Sequence, residues 1–168
     1  AYNAVHSPMQ AADAYLAKFA HIPDLHRRIF AAMLAHLDDS VGSVVAQLRA
    51  TGLAENTLIV FLTDNGGPTK ELTSSNGPLR GGKGELFEGG IRVPFIVSWP
   101  SRIAPRALDT PVISLDATAT ALALAGISST PSRLDGVNLW PLLSGKSAAA
   151  PHAALYWRVG ERHAIRHG

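Results

Sequence analysis

An α/β fold is predicted by three features of the chain: one long stretch with helical apolar spacing, two short β-branched runs, and a second helical stretch after them. From Asp24 to Ala50, Leu25, Ile29, Met33, Leu37, Val41, Val45 and Leu48 recur every three or four positions, which places them on one face of a helix. Asp24 is expected to cap its start, because a carboxylate accepts the free N–H groups of a first turn, and Gly52 to close its end in the left-handed conformation. Thr57 to Thr63 (TLIVFLT) lacks polar alternation and reads as a strand covered on both faces, best fitted as a buried parallel strand. Arg92 to Trp99 (RVPFIVSW) reads as a second strand, and Ile113 to Ala125, ended by Gly126, as a second helix.

The 168 residues suit one domain or a large part of one, and 46% hydrophobic content is enough to build a core. Charged residues are only 17%, below the roughly 25% of an average soluble chain, so part of the surface is expected to be buried against something else. The chain opens at Ala1 in a half-apolar run without an initiator methionine, and it is expected to be a fragment. A net charge of +2 with scattered arginines argues against nucleic acid or an acidic membrane as partner. No segment is expected to reach the ~18 apolar residues of a membrane span, and any leader peptide would lie upstream of Ala1. With no cysteine, disulfides, zinc–thiolate sites and thiol catalysis are excluded within these residues, while the compartment stays open.

Between the two strands runs TDNGGPTKELTSSNGPLRGGKGELFEGG, Thr63 to Gly90, polar, glycine-rich and without periodicity. A loop of this length in a compact domain is either disordered or functional, and the apolar segments on both sides favour function. It leaves the C-terminal end of a predicted central strand, where open α/β sheets form their ligand sites. Asp64 and Asn65 offer one ionised and one carbonyl oxygen, hard donors of the kind calcium or magnesium selects, although Asp-Asn-Gly alone is also the sequence of a plain turn. Lys83 sits in RGGKGE, where glycines let backbone N–H groups and the ammonium approach an anion together. A phosphate or sulfate oxygen suits it; the competing reading is a flexible glycine turn with a solvated lysine. GPLRGGKG satisfies G-x-x-x-x-G-K, but Gly84 stands where a phosphate-binding loop needs Ser or Thr, and the strand and helix that should flank such a loop are missing.

NTLIVFLTDNGG, SSNGPLRGGKGELFEGGIRVPFIVSWP and DGVNLWPLLSGK, in this order and with AYNAVHSPMQ upstream, resemble successive segments of the type I sulfatases of the alkaline phosphatase superfamily. The resemblance covers nearly the whole chain and is more specific than any single loop. It implies an alkaline-phosphatase-like sandwich, with a mixed, mostly parallel central sheet flanked by helices. It also implies that residues 1–168 are a partial sulfatase domain, without the N-terminal nucleophile segment and the C-terminal subdomain. In that family a formylglycine, made from Cys or Ser in a C/S-x-P-x-R motif, forms a hydrate whose oxygen attacks sulfur. That motif and two further acidic calcium ligands belong to the N-terminal half. Carried over by residue, the resemblance implies that Asp64 and Asn65 complete a Ca2+ shell, with Mg2+ the second choice. It implies that Lys83 and His6 contact the sulfate, one of them helping the leaving oxygen depart. The implied substrate is a sulfate ester, carbohydrate or aryl, the implied location secreted, periplasmic or lysosomal, and the chain by itself is expected to be inactive.

STPSR, Ser129 to Arg133, formally satisfies S-x-P-x-R, but it follows Lys83 in a Ser, Thr and Pro-rich connection and reads as a chance match. The remaining histidines, His21, His26, His36, His152, His163 and His167, are expected at the surface or at caps. Arg92 is placed either to orient the loop or to form a structural ion pair, and Asp38 with Asp39 to form a solvated or helix-packing face. Two other functions compete. A phosphate or phosphonate ester hydrolase of the same superfamily would use the same metal and lysine, since these recognise any tetrahedral oxyanion, and a non-catalytic anion-binding module would use them without chemistry.

Overall fold

The computed structural model describes residues 1–69, 72–127 and 134–167, so the Ser129 to Arg133 motif lies outside the described residues. Helices α1 (Asp13–Lys18) and α2 (Leu25–Ala50) lead through a 3-10 turn at Ala54–Asn56 into strand β1 (Ile59–Leu62). After the long loop come α3 (Glu88–Ile91), β2 (Phe95–Ser98), α4 (Leu115–Leu124), α5 (Trp140–Leu143) and the strands β3 (Ala154–Val159) and β4 (Arg162–His167). The class is α/β, and α2, β1, β2 and α4 fall where the apolar spacing placed them.

Helix α2 starts as its sequence dictates: Asp24 Oδ1 accepts the Arg27 N–H at 2.6 Å, and Gly52 past its end has φ 73°. Met33 is buried and Ile29, Leu37, Val41, Val45 and Leu48 are half-buried, whereas Leu25 in the first turn is exposed. Against α2 lies α1, too short to show a period in the sequence. The Tyr15 hydroxyl donates to Asp39 Oδ2 at 2.8 Å, Lys18 Nζ reaches the same oxygen at 3.4 Å, and the Tyr15 ring stacks on His36 at 4.3 Å. Asp39 is therefore a helix-packing contact. By length and composition alone α2 is also long and apolar enough to cross a membrane, which corrects the expectation that no segment is. Alanine, leucine and valine raise its hydropathy even though Asp38 and Asp39 interrupt the run, and Asp39 spends its charge on α1.

Strands β1 and β2 pair antiparallel, with Ile59 opposite Ser98 and Leu62 opposite Phe95, and β1 is half-buried along its length. This corrects the expectation of a buried parallel strand. An apolar run without alternation reports that both faces are apolar; it carries no information on the direction of the partner. The second sheet of the described residues is the β3–β4 hairpin, also antiparallel. Val159 faces Arg162 across a two-residue loop in which Gly160 has φ 61°, the conformation a type II′ turn requires at its first central position.

The buried residues join these elements. Trp99 donates its indole N–H to Glu55 O at 3.0 Å and packs its ring 5.7 Å from that of Trp140. Asp116, fully buried in α4, accepts the Ile113 and Val137 backbone N–H groups at 2.9 and 2.8 Å. His152 Nε2 lies 2.9 Å from each Asp116 carboxylate oxygen, so this histidine is a half-buried tie between α4 and the approach to β3 rather than a surface residue.

Candidate active site

The described residues of the long loop are organised by one amide side chain. Asn76 Oδ1 accepts the Gly67 N–H at 2.9 Å, while its Nδ2 donates to Gly67 O at 2.8 Å and to Gly81 O at 3.0 Å. The Lys83 N–H donates to the same Gly67 carbonyl at 3.3 Å. Gly67 and residues 81–83 are thereby held side by side although a long excursion separates them. Gly66 N–H donates to Gly90 O at 3.0 Å, and a Cβ on Gly66 would lie 1.7 Å from Gly89 O, so this approach of two backbones requires glycine.

Lys83 occupies the second position of a turn closed by Glu85 N–H donating to Gly82 O at 2.9 Å, with Gly84 at φ 78° in the third position, as in a type II turn. The turn lifts the lysine side chain into solvent. There its Nζ meets His6 Nε2 at 2.8 Å, across 77 residues of sequence. His6 Nδ1 lies 2.6 Å from Ser7 O. A carbonyl can only accept, so Nδ1 carries the ring proton and Nε2 is left to accept from the Lys83 ammonium. The two contacts assign His6 its tautomer and orientation. The pair can present N–H groups to the oxygens of an anion and hold a proton at Lys83 Nζ.

Asp64 and Asn65 lie where β1 runs into this loop. Asp64 is exposed and its carboxylate has no hydrogen-bond or ion-pair partner among the described residues. Asn65 turns its Nδ2 to Gly66 O at 3.0 Å, which leaves Oδ1 without a donor among the described residues. Two unengaged hard oxygens on adjacent residues fit a divalent cation of the calcium type. They supply only part of the roughly six to eight oxygens such an ion takes, and no cluster of three or more His, Asp or Glu side chains suited to a metal occurs among the described residues.

A cavity of about 970 Å³ opens beside Asp64, lined among others by Arg92, Phe95, Leu108, Leu142 and Trp157. Neither Lys83 nor His6 reaches it. Its walls are largely apolar, and the arginines among them are already engaged, Arg92 and Arg166 by Glu88 and Arg106 by the Leu142 and Leu143 carbonyls, whereas the Lys83–His6 pair faces solvent. Arg92 Nη1 pairs with Glu88 Oε2 at 3.2 Å, and Arg166 Nη1 from β4 takes Glu88 Oε1 at 2.7 Å. Arg162 Nη2 donates to Gly84 O at 3.0 Å, next to Lys83. Asn76, Arg162 and Arg166 carry no signal in the linear sequence: the asparagine reads as one more turn residue, and both arginines act from a hairpin more than 70 residues away, at a separation of 78 in each contact.

The family model for sulfatases matches residues 1–127, and the chain belongs to that family. Mouse (Mus musculus) steryl-sulfatase is 40% identical over 129 residues, 71% of this chain and 21% of its own length. Human (Homo sapiens) arylsulfatase A is 38% identical over 130 residues, 76% of this chain and 25% of its own. The crystal structure of Ps i-CgsB in complex with k-i-k-neocarrahexaose matches with a TM-score of 0.88 at 37% identity, over 99% of this chain and 38% of that one. The chain thus spans about a fifth to a quarter of the length of these curated relatives.

Proposed function

We propose that this chain is part of a calcium-dependent sulfatase that hydrolyses sulfate esters, that it supplies the leaving-group side and two metal ligands of the active site, and that it is inactive by itself. The 2.8 Å contact between Lys83 Nζ and His6 Nε2 carries this reading, because it joins an ammonium and an imidazole at an open surface, on the same loop that Asp64 and Asn65 begin with oxygens unengaged among the described residues. Lys83 binds one sulfate oxygen. As the S–O bond to the leaving group lengthens, negative charge collects on the ester oxygen, and the proton held at Lys83 Nζ is placed to neutralise it, with His6 orienting the ammonium. Ser7 O, by holding the Nδ1–H, keeps Nε2 turned toward the lysine. A calcium ion on Asp64 and Asn65 would add Lewis-acid stabilisation of the sulfate charge. The nucleophile, a formylglycine in this reading, and the remaining metal ligands belong to residues outside this chain, as do the strands that would complete a mostly parallel central sheet around β1.

The substrate class is a sulfate ester, carbohydrate or aryl. The likeness to a structure bound to a carrahexaose supports carbohydrate, and the likeness to arylsulfatase A supports aryl. The test is turnover of an aryl sulfate and of the matching aryl phosphate by the full-length protein, with Lys83→Ala beside the wild type. Sulfate hydrolysis reduced about a hundredfold or more in kcat by the substitution supports the proposal. Preference for the phosphate, or sulfatase activity untouched by the substitution, contradicts it, and turnover of neither ester would leave an anion-binding module.

A further inference from the structure

We infer that Arg162, on the β3–β4 hairpin, is a positioning residue for Lys83, and that the hairpin acts as a clamp on the lysine turn. The inference rests on the proposed role of Lys83. Strand β4 alternates its side chains, so Arg162, Ala164 and Arg166 share one face, the face on which Leu155 and Trp157 of β3 lie inward. From that face the two arginines reach the two ends of one short segment. Arg162 Nη2 donates to Gly84 O at 3.0 Å, and Arg166 Nη1 pairs with Glu88 Oε1 at 2.7 Å.

Gly84 is the pivot of the turn that carries Lys83. It has φ 78°, and a Cβ built on it would meet nothing within 4 Å, so neither packing nor a side chain of its own restrains it. The upstream side of the turn is held by Asn76 through Gly67 and Gly81, and by Glu85 Oε2 accepting the Gly82 N–H at 2.9 Å. The carbonyl that Arg162 takes lies immediately past the lysine, so the guanidinium adds a hold from outside the loop to the Glu85–Gly82 bonds that the turn makes for itself. At the foot of the same hairpin His152 is tied to buried Asp116, which gives the clamp a fixed base. Charge alone does not account for the contact, because its acceptor is a backbone carbonyl and not a carboxylate.

The test is a double-substitution cycle on the full-length protein with an aryl sulfate. Arg162→Ala should lower kcat on the order of tenfold, as small misplacements of a reacting group do, with Arg162→Lys recovering part of the loss through its single reachable donor. In a Lys83→Ala background the same Arg162→Ala change should alter kcat by no more than about twofold, since the residue it positions is gone. Arg158→Ala, on the same hairpin but bonded to Gly160 O alone among the described residues, should leave kcat unchanged. The His6 Nε2 nitrogen resonance supplies a reading independent of turnover: Arg162→Ala should move it in the direction that Lys83→Ala does. An equal loss from Arg162→Ala with and without Lys83, no loss at all, or an unmoved His6 signal overturns the inference. Sulfatase activity indifferent to Lys83→Ala itself would instead overturn the functional reading on which it stands.

Discussion

Asp64 and His6 show how much chemistry one side chain can carry. The Asp64 carboxylate has no partner among the described residues, and its replacement by Ala should weaken calcium binding by removing the anionic ligand from an otherwise neutral pair. Calcium titration of the full-length protein checks this, and an unchanged affinity takes Asp64 out of the metal shell. At this scale the sequence was informative. Asp64, Asn65 and Lys83 stand in glycine-rich stretches that have few uses besides turns and ligand sites, and family resemblance added His6. What residue types could not announce was their company: the contact of His6 with Lys83 spans 77 residues, and the Asn76 clamp depends on three backbone groups that meet only when the loop is folded.

Among the elements, the α1–α2 contact responds to pH in a definite direction. The Tyr15 hydrogen bond, and next the Lys18 contact, hold the Asp39 carboxyl below the usual carboxylate range, while the same bond raises the Tyr15 hydroxyl above the usual phenol range. A lowered acid contributes above its unfolded value and its contribution is lost as pH falls through the folded value; a raised phenol contributes below its unfolded value and is lost as pH rises through the folded one. The contact should therefore persist between about pH 4 and about pH 10. Tyr15 and His36 ring resonances followed by NMR should move on acidification below that window, and Asp39→Asn should abolish the acid-side movement attributable to this contact. Buried Asp116 is a different kind of tie. Its replacement by Ala strands two backbone N–H groups and His152, at a cost of about 3 kcal/mol, read as a lower denaturation midpoint. Helix α2 was legible because period and caps agree over 26 residues. The hairpin was not read, since its inward face mixes Leu155 and Trp157 with arginines, and strand direction in β1 and β2 has no local signature at all.

For the molecule as a whole, the apolar surface is as informative as the site. Leu34 and Val44 on α2, Ile96 on β2, and the cross-strand pair Tyr156 and Ile165 are 50 to 70% exposed. A chain that spans about a fifth to a third of the length of its curated relatives is, in the proposed reading, missing the residues that cover these faces. The isolated chain should self-associate, seen as a concentration-dependent increase in sedimentation coefficient. The central claim, that these residues hold half of a sulfatase site, is tested most directly by rate measurements on one activated aryl sulfate with calcium present, comparing the full-length protein with the 168-residue chain. The account predicts turnover by the first and release no faster than buffer by the second. Hydrolysis by the 168-residue chain, abolished by Ser129→Ala with the circular dichroism spectrum preserved, would make Ser129 the nucleophile and contradict it.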